Sequence, residues 1–200
     1  MDLIRRARPT DATDIGRVYV ESWRRTYPGL IPDHYLLSLS ADSQALRWRA
    51  RLTQRSSPIP IDHGHDQNRS HDHDSVFVAM ERLHGLVGFT SCGRQRDHYA
   101  GYDGYDGEIY TLYLLDEAQG RGLGRRLMAA AATELLARGH ASGLVWVLRD
   151  NPARWFYERL GGTRLGERDL YLGRALLPGV AYGWRDLSEL ARLPVNPPLE

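Results

Sequence analysis

The sequence has no lysine, for all 26 residues counted as Lys or Arg are arginine. That absence excludes chemistry needing an ε-amine, including a Walker-type phosphate loop and a lysine Schiff base. Thiols are nearly absent too. With Cys92 as the single cysteine, neither an intramolecular disulfide nor a multi-cysteine zinc site can form, and a reducing cytoplasm is the expected location. No apolar run approaches the ~18 residues of a membrane span, and the opening MDLIRRARPT lacks the apolar stretch of a signal peptide, so neither export nor a membrane partner is expected. Charge of one sign is missing as well. Twenty-six basic against 25 acidic side chains leave a net +1, which offers no global attraction to nucleic acid or anionic lipid. Any anion site must be local, and the cluster Arg121, Arg125, Arg126 is one candidate.

What remains is a chain of 200 residues, 42% hydrophobic, read as one domain over 1–200 with a C-terminal tail at 192–200. A short strand at Leu3–Ala7 precedes a helix over Asp11–Tyr27, on which Ile15, Val18, Tyr19, Ser22, Trp23 and Tyr27 recur at helical spacing after an N-cap at Thr10 or Asp11. Pro28, Gly29 and Pro32 end it, and Asp33–Leu39 and Ala41–Arg55 read as two more helical pieces separated by Ser40. Val76–Met80 and Leu86–Ser91 form a hairpin through a five-residue turn ending at Gly85. A Gly/Asp/Tyr-rich loop over Gly93–Gly107 leads to a buried strand at Glu108–Leu115. Leu123, Leu127, Ala131 and Leu135 step by four along a helix that stops at Gly139. Leu144–Leu148 is a strand and Pro152–Leu160 a helix capped by Asn151. Leu170–Leu172 and Val180–Trp184 are weaker strand candidates. The order is mixed α/β, with no internal repeat.

Chemistry concentrates in LYLLDEAQGRGLGRR, residues 112–126, where a strand passes through an acidic loop into glycines that open a helix. Glycines let a ligand approach the backbone, while the free amides and dipole of the first helical turn favour an anion, most naturally a pyrophosphate. A dinucleotide-binding turn is the rival. Its glycines would be spaced G-x-G-x-x-G, whereas Gly120, Gly122 and Gly124 follow G-x-G-x-G and leave room for about one more βα unit. A glycine turn serving only tight packing is the structural alternative.

This stretch resembles the acetyl-coenzyme A motif of the GCN5-related N-acetyltransferases, in which Gln or Arg is followed by two residues, Gly, one residue and Gly or Ala. Gln119, Gly120, Arg121, Gly122, Leu123 and Gly124 match it, and the likeness continues through LVWVL (144–148), NPARWFYERLGG (151–162) and SWRRTYPGLIPDHYL (22–36). The resemblance implies a central, mostly antiparallel twisted sheet flanked by helices, with a splayed strand pair at the cofactor. It implies that the backbone of Leu112, Tyr113 and Leu114 binds the pantetheine arm and that the amides from Gly120 to Arg125 hold the pyrophosphate. Tyr157 is then the acid that protonates the departing thiolate, its alternative being a packing aromatic. Glu108 is the base that takes a proton from the acceptor through water, its alternative an exposed strand-end carboxylate. Asn151 stands six residues before the tyrosine where the family commonly has seven, and capping alone accounts for it.

The implied function is transfer of acetyl from acetyl-coenzyme A to a primary amine in a ternary complex, without metal. Trp23, Tyr27, Tyr35, Tyr102, Asp103, Tyr105 and Asp106 combine aromatic faces and carboxylates that suit a small cationic amine or a peptide amino group; the alternative is that Trp23 and Tyr27 are core and the loop is solvated. The rival readings are a non-catalytic acyl-coenzyme A sensor and an interaction module. The latter would use the His/Asp-rich insertion at 62–74, where His63, His65, His71 and His73 alternate with aspartates without a scaffold to hold them round a metal. Cys92 reads as a small buried hydrophobe. The exposed sheet leaves room for a homodimer.

Overall fold

A computed structural model describes residues 2–53, 74–96, 102, 104–172, 175–193 and 195. Seven strands make one sheet in the order β1-β2-β3-β4-β5-β7-β6. They are β1 (Leu3–Arg6), β2 (Ser75–Glu81), β3 (Gly85–Arg94), β4 (Gly107–Leu114), β5 (Gly143–Leu148), β6 (Thr163–Leu172) and β7 (Ala175–Trp184). Every neighbouring pair is antiparallel except β4 and β5, which run parallel. The mixed α/β, mostly antiparallel architecture expected from the sequence is thus the one observed.

Helices α1 (Ala12–Thr26), α2 (Asp33–Ser38) and α3 (Ala41–Thr53) precede β2, α4 (Leu123–Ala137) joins β4 to β5, and α5 (Arg154–Arg159) and α6 (Ser188–Ala191) follow. Helix α1 turns Ile15, Val18, Tyr19, Ser22 and Trp23 inward, the stripe that its periodicity predicts. It lies so close to α3 that a Cβ on Gly16 would sit 2.6 Å from the Ala41 carbonyl oxygen. On one face of the sheet Trp48 of α3 meets Phe89 of β3 edge to face at 5.1 Å. On the other, Cys92 of β3 donates to the Ala131 carbonyl of α4 at 3.8 Å. Helices therefore pack on both faces of the sheet, and the buried apolar side chains gather into two clusters.

Two local expectations change. Asp11 does not cap α1 through its side chain. It ends a 3-10 turn, Pro9–Asp11, and its carboxylate takes Arg5 Nη1 and Nη2 at 2.7 and 2.8 Å and the Arg8 amide at 2.7 Å, a bidentate charge-assisted pair that outcompetes a helix amide. The C-terminal strands are also far longer than the weak candidates at Leu170–Leu172 and Val180–Trp184. β6 and β7 pair from Thr163↔Gly183 to Leu172↔Ala175. As the sheet edge, β6 (TRLGERDLYL) carries charges along most of its length, which dilutes the alternation that would have marked it.

Candidate active site

The site begins with an irregularity in β4. Ser91 pairs with Thr111 and Cys92 with Ile109, so Tyr110 is an extra residue opposite β3. Such a bulge bends its strand and sharpens the twist. At the same point β4 leaves β5, whose parallel pairing stops at Ile109↔Val145 although both strands continue. β5 stays on β7 along its full length, from Gly143↔Trp184 to Leu148↔Gly179, so the split opens between β4 and β5. It is a cleft of about 860 Å³ lined by Leu112, Tyr113 and Leu114 on one side and Trp146, Val147 and Leu148 on the other.

At the far end of β4 the chain passes a 3-10 turn, Asp116–Ala118, into the glycine loop. Gln119 braces it, donating from Nε2 to the Leu114 carbonyl at 3.2 Å and to Asp116 Oδ1 at 3.3 Å. Gly120 and Gly122 then take φ of +71° and +81°, left-handed values that side chains beyond Cα disfavour. From Gly120 to Arg125 no backbone N–H is taken up by another described backbone group, and Arg126 N, on the Gly122 oxygen at 3.2 Å, is the first that is. A row of unpaired donors at the positive end of a 15-residue helix suits a diphosphate. Gln119, Gly120, Gly122, Gly124 and Arg125 line the cleft.

The arginine cluster does not converge as expected. Arg121 turns away to Glu81 at 2.6 Å and Asp2 at 3.4 Å, and Arg126 donates to the Asp2 carbonyl at 2.6 Å. Nearby carboxylate and carbonyl groups capture both guanidiniums, so Arg125 alone of the three faces the cleft. Leu123 is fully buried, and only its amide is placed to serve a ligand.

Tyr157 of α5 borders the middle of the cleft, its ring 6.2 Å from Tyr182 and 6.4 Å from Trp184. Burial holds its hydroxyl pKa well above the ordinary value, and the neighbouring Tyr27 adds to the rise. Asn151 receives the Ala153 amide on Oδ1 at 2.9 Å, but α5 starts three residues later, at Arg154, so this side chain closes the turn before the helix and is not its N-cap. Asn151 lines the cleft together with Tyr27 and Tyr113. Tyr27, 8% exposed, therefore joins α1 to the cleft, whereas Trp23 is core at 1% exposure.

Glu108 is not an exposed strand end. It is 7% exposed, pairs with Gly93 and Leu144 on its two sides, and accepts the Arg96 amide on Oε2 at 2.9 Å. Around it the cleft is lined by Arg96, Tyr110, Trp146 and Arg168, a set the sequence reading did not single out. Tyr102 meets Trp146 edge-on at 5.3 Å. Tyr105 instead packs under Arg185, 4.6 Å from its ring centre. Asp106 accepts Ser142 Oγ at 2.8 Å and the amides of Ser142 and Ala141. Burial would raise its pKa, but these donors prevail and hold it below the usual carboxylate range. Both brace the loop rather than line the cleft, and Asp103 lies outside the described residues. So does the His/Asp-rich insertion, except Asp74. Among the described residues no group of three or more His, Cys, Asp or Glu could hold a metal, and no helix is long and apolar enough to cross a membrane.

Comparison with known proteins agrees with this geometry. The FR47-like protein family matches residues 97–171. The uncharacterized N-acetyltransferase YuaI of Bacillus subtilis is 36% identical over 193 residues, 96% of this chain and 98% of that protein. The chain belongs to the GCN5-related N-acetyltransferase family. The enzyme class expected from the sequence, an N-acetyltransferase, stands with it. Solved members share the fold. A PaiA N-acetyltransferase from Thermoplasma acidophilum, in complex with coenzyme A, superposes with a TM-score of 0.62 at 18% identity, covering 92% of this chain and 98% of that one. YncA of Salmonella typhimurium, with acetyl-CoA, gives 0.62 at 19% identity and covers 94% of each.

Proposed function

We propose that residues 1–200 form a single N-acetyltransferase domain that moves the acetyl group of acetyl-coenzyme A to a primary amine by direct transfer, both substrates being bound together. One observation carries this reading. The cleft that opens where β4 leaves β5 has unpaired amides at Gly120–Arg125 at one end, Glu108 at the other, and Tyr157 between them. A diphosphate on the loop runs the pantetheine along the unpaired edge of β4 at Leu112–Leu114, which brings the thioester toward Tyr157. The amine enters beside Glu108.

Glu108, through a water, takes the proton of the incoming ammonium. The freed nitrogen attacks the thioester carbonyl carbon, a C–N bond forms and the C–S bond breaks; the sulfur takes the proton of the Tyr157 hydroxyl, and the second proton, shed by the nitrogen as it becomes an amide, passes to solvent, from which Tyr157 is re-protonated. Because burial keeps that hydroxyl protonated well beyond neutrality, it is present as a donor throughout the working range, and a desolvated thiolate is itself a stronger base than one in water. Holding the two substrates side by side supplies much of the acceleration.

Calorimetric titration with acetyl-coenzyme A, followed by thiol release against a panel of amines, tests this. The expected result is binding with amine-dependent release. Glu108→Gln and Tyr157→Phe should each keep the acetyl-coenzyme A affinity within about twofold while lowering turnover by about 10²–10⁴-fold, the usual worth of a positioned acid or base. Binding without release in the wild-type protein would instead support a sensor.

A further inference from the structure

The acceptor end of the cleft is built for an anion as well as an amine. Arg96 follows β3 and lines the cleft with its side chain only 12% exposed. Its guanidinium lies over Tyr110, Cζ 3.2 Å from the ring centre, and Nη2 is 3.3 Å from Asp74 Oδ2. Nε is sealed from solvent with no hydrogen-bond partner. The same Asp74 oxygen is already taken by Arg51, whose side chain is 10% exposed and whose Nε and Nη1 are also buried without partners. One carboxylate thus serves two buried guanidiniums. Burial depresses the Arg51 pKa, Asp74 offsets this in part, and the charge on Arg96 adds to the depression. Arg168 of β6 adds a third cation, its Cζ 4.0 Å from the Trp146 ring centre on the β5 side of the cleft. Two acids border the same space, Glu108, which the proposed reaction uses as a base, and the exposed Asp169.

We infer that the acceptor is a small amine that also carries an oxyanion, a carboxylate or a phosphate, received between Arg96 and Arg168 while its amino group faces Glu108. This rests on the transferase reading above and narrows its acceptor. It departs from the cationic amine suggested by the sequence, because the loop acid Asp106 is committed to Ser142 and Ala141 and Arg96 and Arg168 line the cleft beside Glu108. A buried guanidinium short of acceptors gains most from an anion that supplies them, and packing against Tyr110 and Trp146 holds in place the guanidiniums that a bidentate oxyanion would meet. The phosphates of the cofactor are the competing source of negative charge, but their loop lies at the opposite end of β4.

The test uses matched acceptors with the intact protein: α-amino acids against their amides, and 2-aminoethyl phosphate against ethanolamine. The anionic member of each pair should have a kcat/KM at least about tenfold higher, the worth of one charge-assisted hydrogen bond. Arg168→Gln should raise the KM for the anionic amine about tenfold, erase its advantage, and leave kcat and the KM for acetyl-coenzyme A within about twofold. Arg96→Gln should do the same, and the Arg168 variant decides the matter if the Arg96 variant fails to fold. Equal rates within pairs, a preference for the uncharged member or for a polyamine, or variants that change the acetyl-coenzyme A KM instead, would overturn the inference. So would a protein that binds acetyl-coenzyme A yet, loaded with coenzyme A, takes up none of the anionic amines in calorimetry. Failure to bind acetyl-coenzyme A at all would sink the transferase reading and this inference with it.

Discussion

If the glycine loop is a pre-shaped diphosphate cradle, alanine at Gly120 or Gly122 should act on cofactor affinity rather than on the fold. Both positions hold left-handed φ, +71° and +81°, and a Cβ at either would meet nothing within 4 Å. The perturbation is therefore conformational alone. An L-residue in that region costs about 1–2 kcal/mol. The exposed loop of the free variant escapes the cost by relaxing, and the complex must restore it, so the dissociation constant for acetyl-coenzyme A should rise about 5–30-fold for each single variant. The double variant should lose more, about 2–4 kcal/mol if the strains add. Gly85 supplies the control. It has φ +70° and equally open surroundings, but it sits in the β2–β3 hairpin, away from the cleft, so Gly85→Ala should lower the melting temperature by about 2–4 °C per kcal/mol of strain and leave affinity unchanged. Calorimetry and thermal unfolding on the same preparations measure both quantities. Gly120→Ala and Gly122→Ala binding like wild type, or Gly85→Ala weakening binding as much as they do, would refute the reasoning.

Three other outcomes follow from burial. Cys92 is fully buried and its thiol is pushed up to about 12, chiefly by burial, so a thiol reagent at pH 8 should leave the native protein untouched and react once denaturant unfolds it; ready labelling of folded protein would contradict this. Burial raises the Tyr27 and Tyr157 pKa values, so their contribution to stability is complete below the unfolded value of about 10 and declines as pH climbs from there toward the folded values. Ultraviolet titration should show them ionising together with loss of circular dichroism, and ionisation of an intact fold would refute it. Asp11 has its pKa lowered, first by the Arg5 hydrogen bonds, so its stabilisation is present above the ordinary carboxylate value and fades as pH falls through the folded one. Asp11→Asn should cost about 1.5–3 kcal/mol in urea unfolding at pH 7, with the gap to wild type closing in strong acid.

The parts of this molecule that were legible in its sequence are those whose cause is local. Leu123, Leu127, Ala131 and Leu135 announce α4 because a helix repeats within four residues, and the glycines of the loop announce themselves because a left-handed turn excludes most other side chains. Tyr157 and Glu108 were reached through the resemblance and not through any property of their own segments. β6 went largely unread because an edge strand exposed to water need not alternate. Arg96 was hidden for a different reason. It lies in a polar stretch at the end of a strand, and its burial comes from Asp74, Arg51 and Tyr110, residues 14 to 45 positions away in the chain.

The cleft itself is the least local feature and follows from connectivity. β4 and β5 are joined through α4, and a helix crossover returns the chain in the same direction, which makes this the one parallel pair in an otherwise antiparallel sheet. The turn that starts the crossover lies at the end of β4 and opens α4, so the loop with its free amides is fixed at the rim of that pair. The bulge at Tyr110 then ends the pairing after Ile109, leaving the edge of β4 unpaired toward β5 from Tyr110 to Leu114, between Glu108 and the glycines. A row of free amides, an open strand edge and a buried carboxylate thus lie along one strand because of where the chain crosses over. That is why deleting the extra residue, Tyr110, should close β4 back onto β5 and abolish cofactor binding even with every loop glycine in place.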